Sequence, residues 1–169
     1  MIYIIDGYNV LHARESGGEI GADELEGKRQ RFIEEMVSYS ATSGARCYIV
    51  FDSRRSSSSR CVDLPHTDVT VCYSSRLESA DLFIGKLVQK MLAETEGPIR
   101  VVSADWEVQR GAMQERVERV PPRNLLSGLK EFAEKLAFSE KKDTIPGKLE
   151  HKVDVETLRK LERMRRGLD

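Results

Sequence analysis

The stretch "MIYIIDGYNV" (residues 1–10) decides the fold: its apolar run breaks off at Asp6 and passes into Gly7, Tyr8 and Asn9. "IYII" (2–5) is short and apolar throughout, the pattern of a strand buried on both faces. Working outward, "CYIVF" (47–51), "VTVCY" (69–73) and "IRVVS" (99–103) repeat that pattern, and a weaker strand is expected near 116–120. Two of these later runs also meet an aspartate at or just after their ends. Asp52 follows the second strand, and Asp105 lies two residues past the fourth.

Between the strands the periodicity becomes helical. Leu25, Phe32, Ile33, Met36 and Val37 recur at helical spacing from about Asp23, and Gly44 supplies a stop signal. Ser79 is placed to cap a helix with Leu82, Phe83, Leu87, Val88, Met91 and Leu92 on its buried side, ended by Gly97 and Pro98. A short helix is expected over about 105–114. Pro121 and Pro122 introduce another, with Leu125, Leu126, Leu129, Phe132 and Leu136 inward. "SRRSSSSR" (53–60) reads as a polar, basic loop. "SEKKDTIPGK" reads as a linker to a last helical segment over about 154–166.

Strands alternating with helices predict an α/β fold, a doubly wound and mainly parallel sheet with strand C-termini on one edge. Ligands bind at that edge, where the strand order reverses. The expected organisation is one domain over residues 1–140 and a helical tail over 141–169 that packs on the domain or meets a partner. A 169-residue chain of this kind buries roughly two thirds of its unfolded surface and needs no staple to fold.

Composition narrows the classes. The net charge of -1 excludes a globally basic nucleic-acid binder and leaves room for a local basic surface around an acidic centre. Cys47, Cys61 and Cys72 are odd in number and contain no CxxC pair, a poor pattern for zinc or a disulfide framework and one suited to a reducing compartment. Buried structural cysteines are expected at Cys47 and Cys72. No signal-like segment or membrane-length apolar run is present, so a cytoplasmic protein is expected. His12, His66 and His151 show no metal-ligand spacing.

The predicted fold brings Asp6, Asp52 and Asp105 to one crest of the sheet, and Asp81 joins them from the first turn of the helix after the third strand. Like charges gathered in this way are costly unless a cation binds or some acids stay protonated. Magnesium or manganese suits oxygen ligands, and such a site suits phosphodiester hydrolysis. Gly7 is expected to let a substrate backbone approach, Asn9 to hold a phosphate or water, and Ser103 to orient Asp105 or a water. Any single aspartate after a strand is equally well a turn residue or helix cap, Asp52 most of all. The functional case rests on their joint occurrence.

"IIDGYNVL", "YIVFD", "ESADLFIGKL", "VVSADWEVQ" and "LERMRRGLD" together resemble the NYN domain, a branch of the PIN-like nucleases, and within it the bacterial YacP-like group. The pieces extend over nearly the whole chain in the family order. The resemblance implies a PIN-like three-layer α/β/α fold and a metal-dependent endoribonuclease. Asp6, Asp81 and Asp105 match its acidic centre, Asp52 a further acid, and Asn9 the asparagine of the opening motif. Messenger RNA, cleaved in connection with the ribosome, is the partner it implies.

Arg54, Arg55 and Arg60 flank the serine run after Asp52, and Arg165 and Arg166 lie in the tail, so these five are the expected RNA contacts. Tyr8 and Trp106 flank two of the acids, where a ring either stacks on a base or packs in the core. DxD and GxGxxG signatures are absent after the first strand, which disfavours a HAD-type phosphatase and a dinucleotide site. The rival expectation is a non-catalytic RNA- or ribosome-binding module that keeps the acids for folding. A monomer is the favoured state.

Overall fold

The computed structural model describes residues 1–15, 22–52, 57–104 and 116–143. Its elements run in the order β1 (Ile2–Asp6), α1 (Gly7–Arg14), α2 (Ala22–Ser43), β2 (Arg46–Phe51), β3 (Arg60–Asp63), β4 (Val69–Tyr73), α3 (Ala80–Glu94), β5 (Ile99–Val102), β6 (Val117–Val120) and α4 (Pro122–Asp143). The compact body spans Met1–Glu131. From Phe132 the chain forms a second unit, whose described part is the continuation of α4 to Asp143.

The body is a six-stranded sheet in the order β3-β4-β2-β1-β5-β6. All pairings are parallel except β3 with β4. The expected mainly parallel α/β architecture is therefore present. The order reverses at β1, which lies between β2 and β5, so the switch point falls at the end of the first strand. All five residues of β1 are buried, as a central parallel strand requires.

Alternation divides the side chains between two cores. Tyr3, Ile5, Cys47, Ile49, Phe51, Val69 and Val71 face α1, α2 and α4, where Val10, Leu11, Phe32, Met36, Leu125 and Leu129 meet them. Ile2, Ile4, Val50, Cys72, Ile99 and Val101 face α3, with its Ile84, Leu87, Val88 and Met91. The result is three layers. α2 stops where expected: Gly44 takes φ 65°, a conformation glycine adopts without steric cost, and its N–H returns to the Ser40 carbonyl at 2.9 Å.

Several expectations need correction. The chain enters α1 directly at Gly7, a helix the sequence did not announce because its apolar face is only Val10 and Leu11. Arg60, the last residue of the supposed basic loop, opens an unexpected edge strand, β3, whose four residues are all exposed and therefore carry no hydrophobic alternation. Cys61 and Cys72, register partners on β3 and β4, form a disulfide, so the cysteine pattern does supply a bridge. Only Cys47 is a free, buried thiol. Leu82 and Leu136, expected inward, are 55% and 39% exposed; Ile84 fills the α3 core position instead. The expected linker begins at residue 139, yet α4 continues to Asp143. The expected helices over 105–114 and 154–166 lie outside the described residues. Among the described residues no helix is long and apolar enough to cross a membrane.

Candidate active site at the sheet crest

Asp6 shares the strand parity of Ile2 and Ile4, which places it on the α3 side of the sheet. Asp52 and Ser103 follow Val50 and Val101 with the same parity, each one residue past its strand. α3 packs over β1, β2 and β5 on this face, and its first turn carries Asp81. The two-residue period carries Asp6, Asp52 and Ser103 to the C-terminal ends of their strands with one parity, and α3, which packs on that face, carries Asp81 in its first turn.

Asp6 is 6% exposed and is both the last residue of β1 and the N-cap of α1. Its Oδ1 accepts the Asn9 backbone N–H at 2.9 Å, and its Oδ2 accepts the Asn9 side-chain amide at 2.6 Å. The same Nδ2 lies 3.3 Å from Ser103 Oγ, past the end of β5. Asn9 therefore bridges β1 and β5 across the switch point. Its side-chain nitrogen is engaged with the Asp6 carboxylate and with Ser103. Ser103, fully buried, meets that amide.

Asp52 is half-buried and accepts the Ser74 hydroxyl at 2.8 Å. Ser74 follows β4 with the parity of Thr70 and Cys72, which in hindsight marks it as a crest residue. Asp81 is half-buried beyond the Ser79 cap, whose Oγ accepts the Leu82 N–H at 3.2 Å. Glu78 is mostly covered. Its Oε2 accepts Ser59 Oγ at 2.9 Å, and its Oε1 lies 2.6 Å from Lys86 Nζ. The Lys86 ammonium, helped by the Ser59 hydroxyl, holds its carboxyl below the usual carboxylate range.

Gly7 requires a correction. A side chain there would meet three atoms of the Phe51 ring at less than 3.0 Å, so the bare Cα clears a core ring. Gly7 is itself buried, so the missing side chain serves packing against Phe51. Tyr8 packs edge-on against Phe51 at 5.3 Å and accepts from Arg29 at 3.4 Å, the core reading of that ring. Arg60 is exposed, on the α2 side, with its guanidinium 5.2 Å from the centre of the Tyr73 ring. Asp105, Trp106, Arg54, Arg55, Arg165 and Arg166 lie outside the described residues.

Among the described crest residues, Asp6, Asp52 and Asp81 offer carboxylate oxygens, the donor type that a hard divalent cation takes. A carboxylate offers about four acceptor positions, and Asn9 occupies one on each oxygen of Asp6. Among the described residues no three His, Cys, Asp or Glu side chains gather closely enough to hold a metal ion.

A family model for the YacP-like NYN domain matches residues 3–166. The chain belongs to the YacP-like NYN family. Its domain is accordingly of nuclease type. The YacP protein of Bacillus subtilis is 27% identical over 169 residues, covering 98% of this chain and 97% of that one. The crystal structure of Rae1 (YacP) from Bacillus subtilis superposes with a TM-score of 0.70 at 26% identity, covering 99% and 95% of the two chains. A crystal structure of a tryptophan-to-leucine mutant of that same protein gives 0.71 at 25% identity, over 88% and 86%. The YacP-like NYN fold thus accounts for the sheet order and for the crest on which Asp6 sits.

Proposed function

We propose that this protein is a metal-dependent endoribonuclease that hydrolyses RNA phosphodiester bonds at the crest. The observation that carries the reading is Asp6: a buried carboxylate at the strand-order switch, fixed through both oxygens by one asparagine. A turn residue or simple helix cap needs only the backbone bond. The side-chain bond to Oδ2 and the reach to Ser103 serve orientation.

Asp6, Asp81 and Asp105 would hold magnesium or manganese, with Asp52 a further oxygen donor beside them. Bound there, such an ion supplies positive charge for activating water and for stabilising the leaving oxygen. The chain's own contribution is placement. Asn9 and Ser103 keep Asp6 from rotating, and the Ser79 cap fixes the helix turn that presents Asp81. Exposed Arg60 supplies positive charge to a polyanion. Arg54 and Arg55 would add to it from the same segment. Messenger RNA engaged with the ribosome is the substrate setting that the motif resemblance supports.

The test is Asp81→Asn, which keeps size and helix while removing the charge. With magnesium or manganese, the wild type shortens RNA, chelator stops it, and the variant loses at least about a thousandfold in rate with an unchanged circular dichroism spectrum. Undiminished cutting by the variant refutes the assignment. Cleavage mapping on translating and free messenger then tests the ribosome's part. RNA retained equally with and without chelator, and never shortened, is the result expected of a binding module.

A further inference from the structure

Leu77 is 83% exposed, more than any other large apolar side chain among the described residues. It lies in "SSRLES" (74–79), the connection from β4 to α3, four residues before Asp81. The connection is fastened on both sides. Ser74 donates through its backbone to the Phe51 carbonyl at 3.0 Å and through its hydroxyl to Asp52 at 2.8 Å. The Ser75 N–H reaches Ser59 Oγ at 3.0 Å, and the Glu78 N–H returns to the Ser75 carbonyl at 3.2 Å, closing a turn with Arg76 and Leu77 at its tip. The Glu78 carboxylate then clasps Ser59 and Lys86.

So much fastening holds an apolar side chain in water, where burial would be the favourable state. Arg76, beside it, is exposed and has no ion pair or hydrogen bond among the described residues. A fastened tip pairing an exposed guanidinium with an apolar surface matches the two faces of a single-stranded nucleotide, its phosphate and its unstacked base. Paired bases hide the second of those faces.

We propose that Arg76 and Leu77 form a substrate-positioning tip, Arg76 binding a backbone phosphate of single-stranded RNA and Leu77 packing against an unpaired base. This rests on the nuclease reading and names the contact that orients the strand at that site. The tip explains why the turn is built from Ser75, Ser59 and Glu78 rather than left loose.

Leu77→Ala, Leu77→Met and Arg76→Ala test it, because both side chains are exposed and the melting temperature should not move. On single-stranded RNA, Leu77→Ala is expected to raise KM about fivefold with kcat within about twofold, and Leu77→Met to restore it. Arg76→Ala is expected to lower the slope of log affinity against log salt by about 0.7. Duplex RNA affinity should be unaffected by the Leu77 changes. Unchanged KM in Leu77→Ala, an equal loss on duplex, or a loss confined to ribosome-bound messenger overturns the tip, the last indicating a protein contact. If the wild type binds RNA without shortening it, the nuclease reading falls alone, and equal affinity of Leu77→Ala and wild type for single strands overturns the tip separately.

Discussion

Asn9 grips Asp6 twice, with its backbone N–H on one carboxylate oxygen and its side-chain amide on the other. Removing only the side-chain grip separates orientation from capping. Asn9→Ala should lower RNA cleavage by about 10–100-fold, as losses of groups supporting a metal ligand typically do. Stability should fall by about 1.5–3 kcal/mol, the range for a bond to a charged group. Asn9→Asp sets a second carboxylate against the first and should cost more at neutral pH than in mild acid. Wild-type kcat in Asn9→Ala would remove the orienting role.

Gly7 is held to glycine by a ring in the core. Gly7→Ala should destabilise the fold by about 1–3 kcal/mol, because buried Phe51 has no free direction in which to give way. Shrinking that ring in the double variant Gly7→Ala/Phe51→Leu should recover part of what Gly7→Ala loses, a non-additivity that a thermal melt reads directly. Strict additivity would remove the Phe51 ring as the cause of what Gly7→Ala loses.

The Cys61–Cys72 disulfide closes a short hairpin with a sequence separation of 11. Reduction, or Cys61→Ser, should lower stability by about 2–3 kcal/mol through freedom returned to the unfolded chain. A phosphine reductant should shift the melting curve of the wild type and leave that of Cys61→Ser in place. Cys47, whose thiol burial pushes up to about 12, should resist alkylation in the folded protein. Native oxidised protein should thus titrate no thiols and denatured reduced protein three.

Glu78 gives the acid side of the stability profile a defined sign. Its carboxyl is held below the usual 4.5 by Lys86 and Ser59, so its contribution is complete above about 4.5 and is lost as pH falls through the lowered value. Glu78→Gln should be less stable than wild type at neutral pH and lose less on acidification below 4.5. Lys86 is largely exposed, so added salt should narrow the difference between the two proteins. Parallel acid profiles would dissociate Glu78 from the pair.

What was legible in the sequence was what periodicity carries. The buried strands, the Gly44 stop and the Ser79 cap follow from apolar spacing and local backbone chemistry, as does the presence of Asp6, Asp52 and Asp81 at strand ends and a helix start. β3 escaped because an edge strand exposed on every residue has no period to read, and because its bond to Cys72 depends on a register that only the folded sheet sets. Asn9 stood out in the opening motif, but its bond to the Asp6 carboxylate did not. Whether an amide points at a substrate or a neighbouring carboxylate depends on side-chain geometry at the first turn of α1. Leu82 was misplaced because helical spacing gives the width of an apolar stripe and not its edges.

β1 hands the chain to α1 with no intervening residue. Asp6 belongs to a sheet ladder and a helix cap at once, so there is no slack by which it could slide or swing. An inserted residue between Ile5 and Gly7 would have to turn the carboxylate off its face or break the cap. Changes of chain length are therefore tolerable only away from this junction, which serves as the fixed datum against which every other group on the crest is aligned.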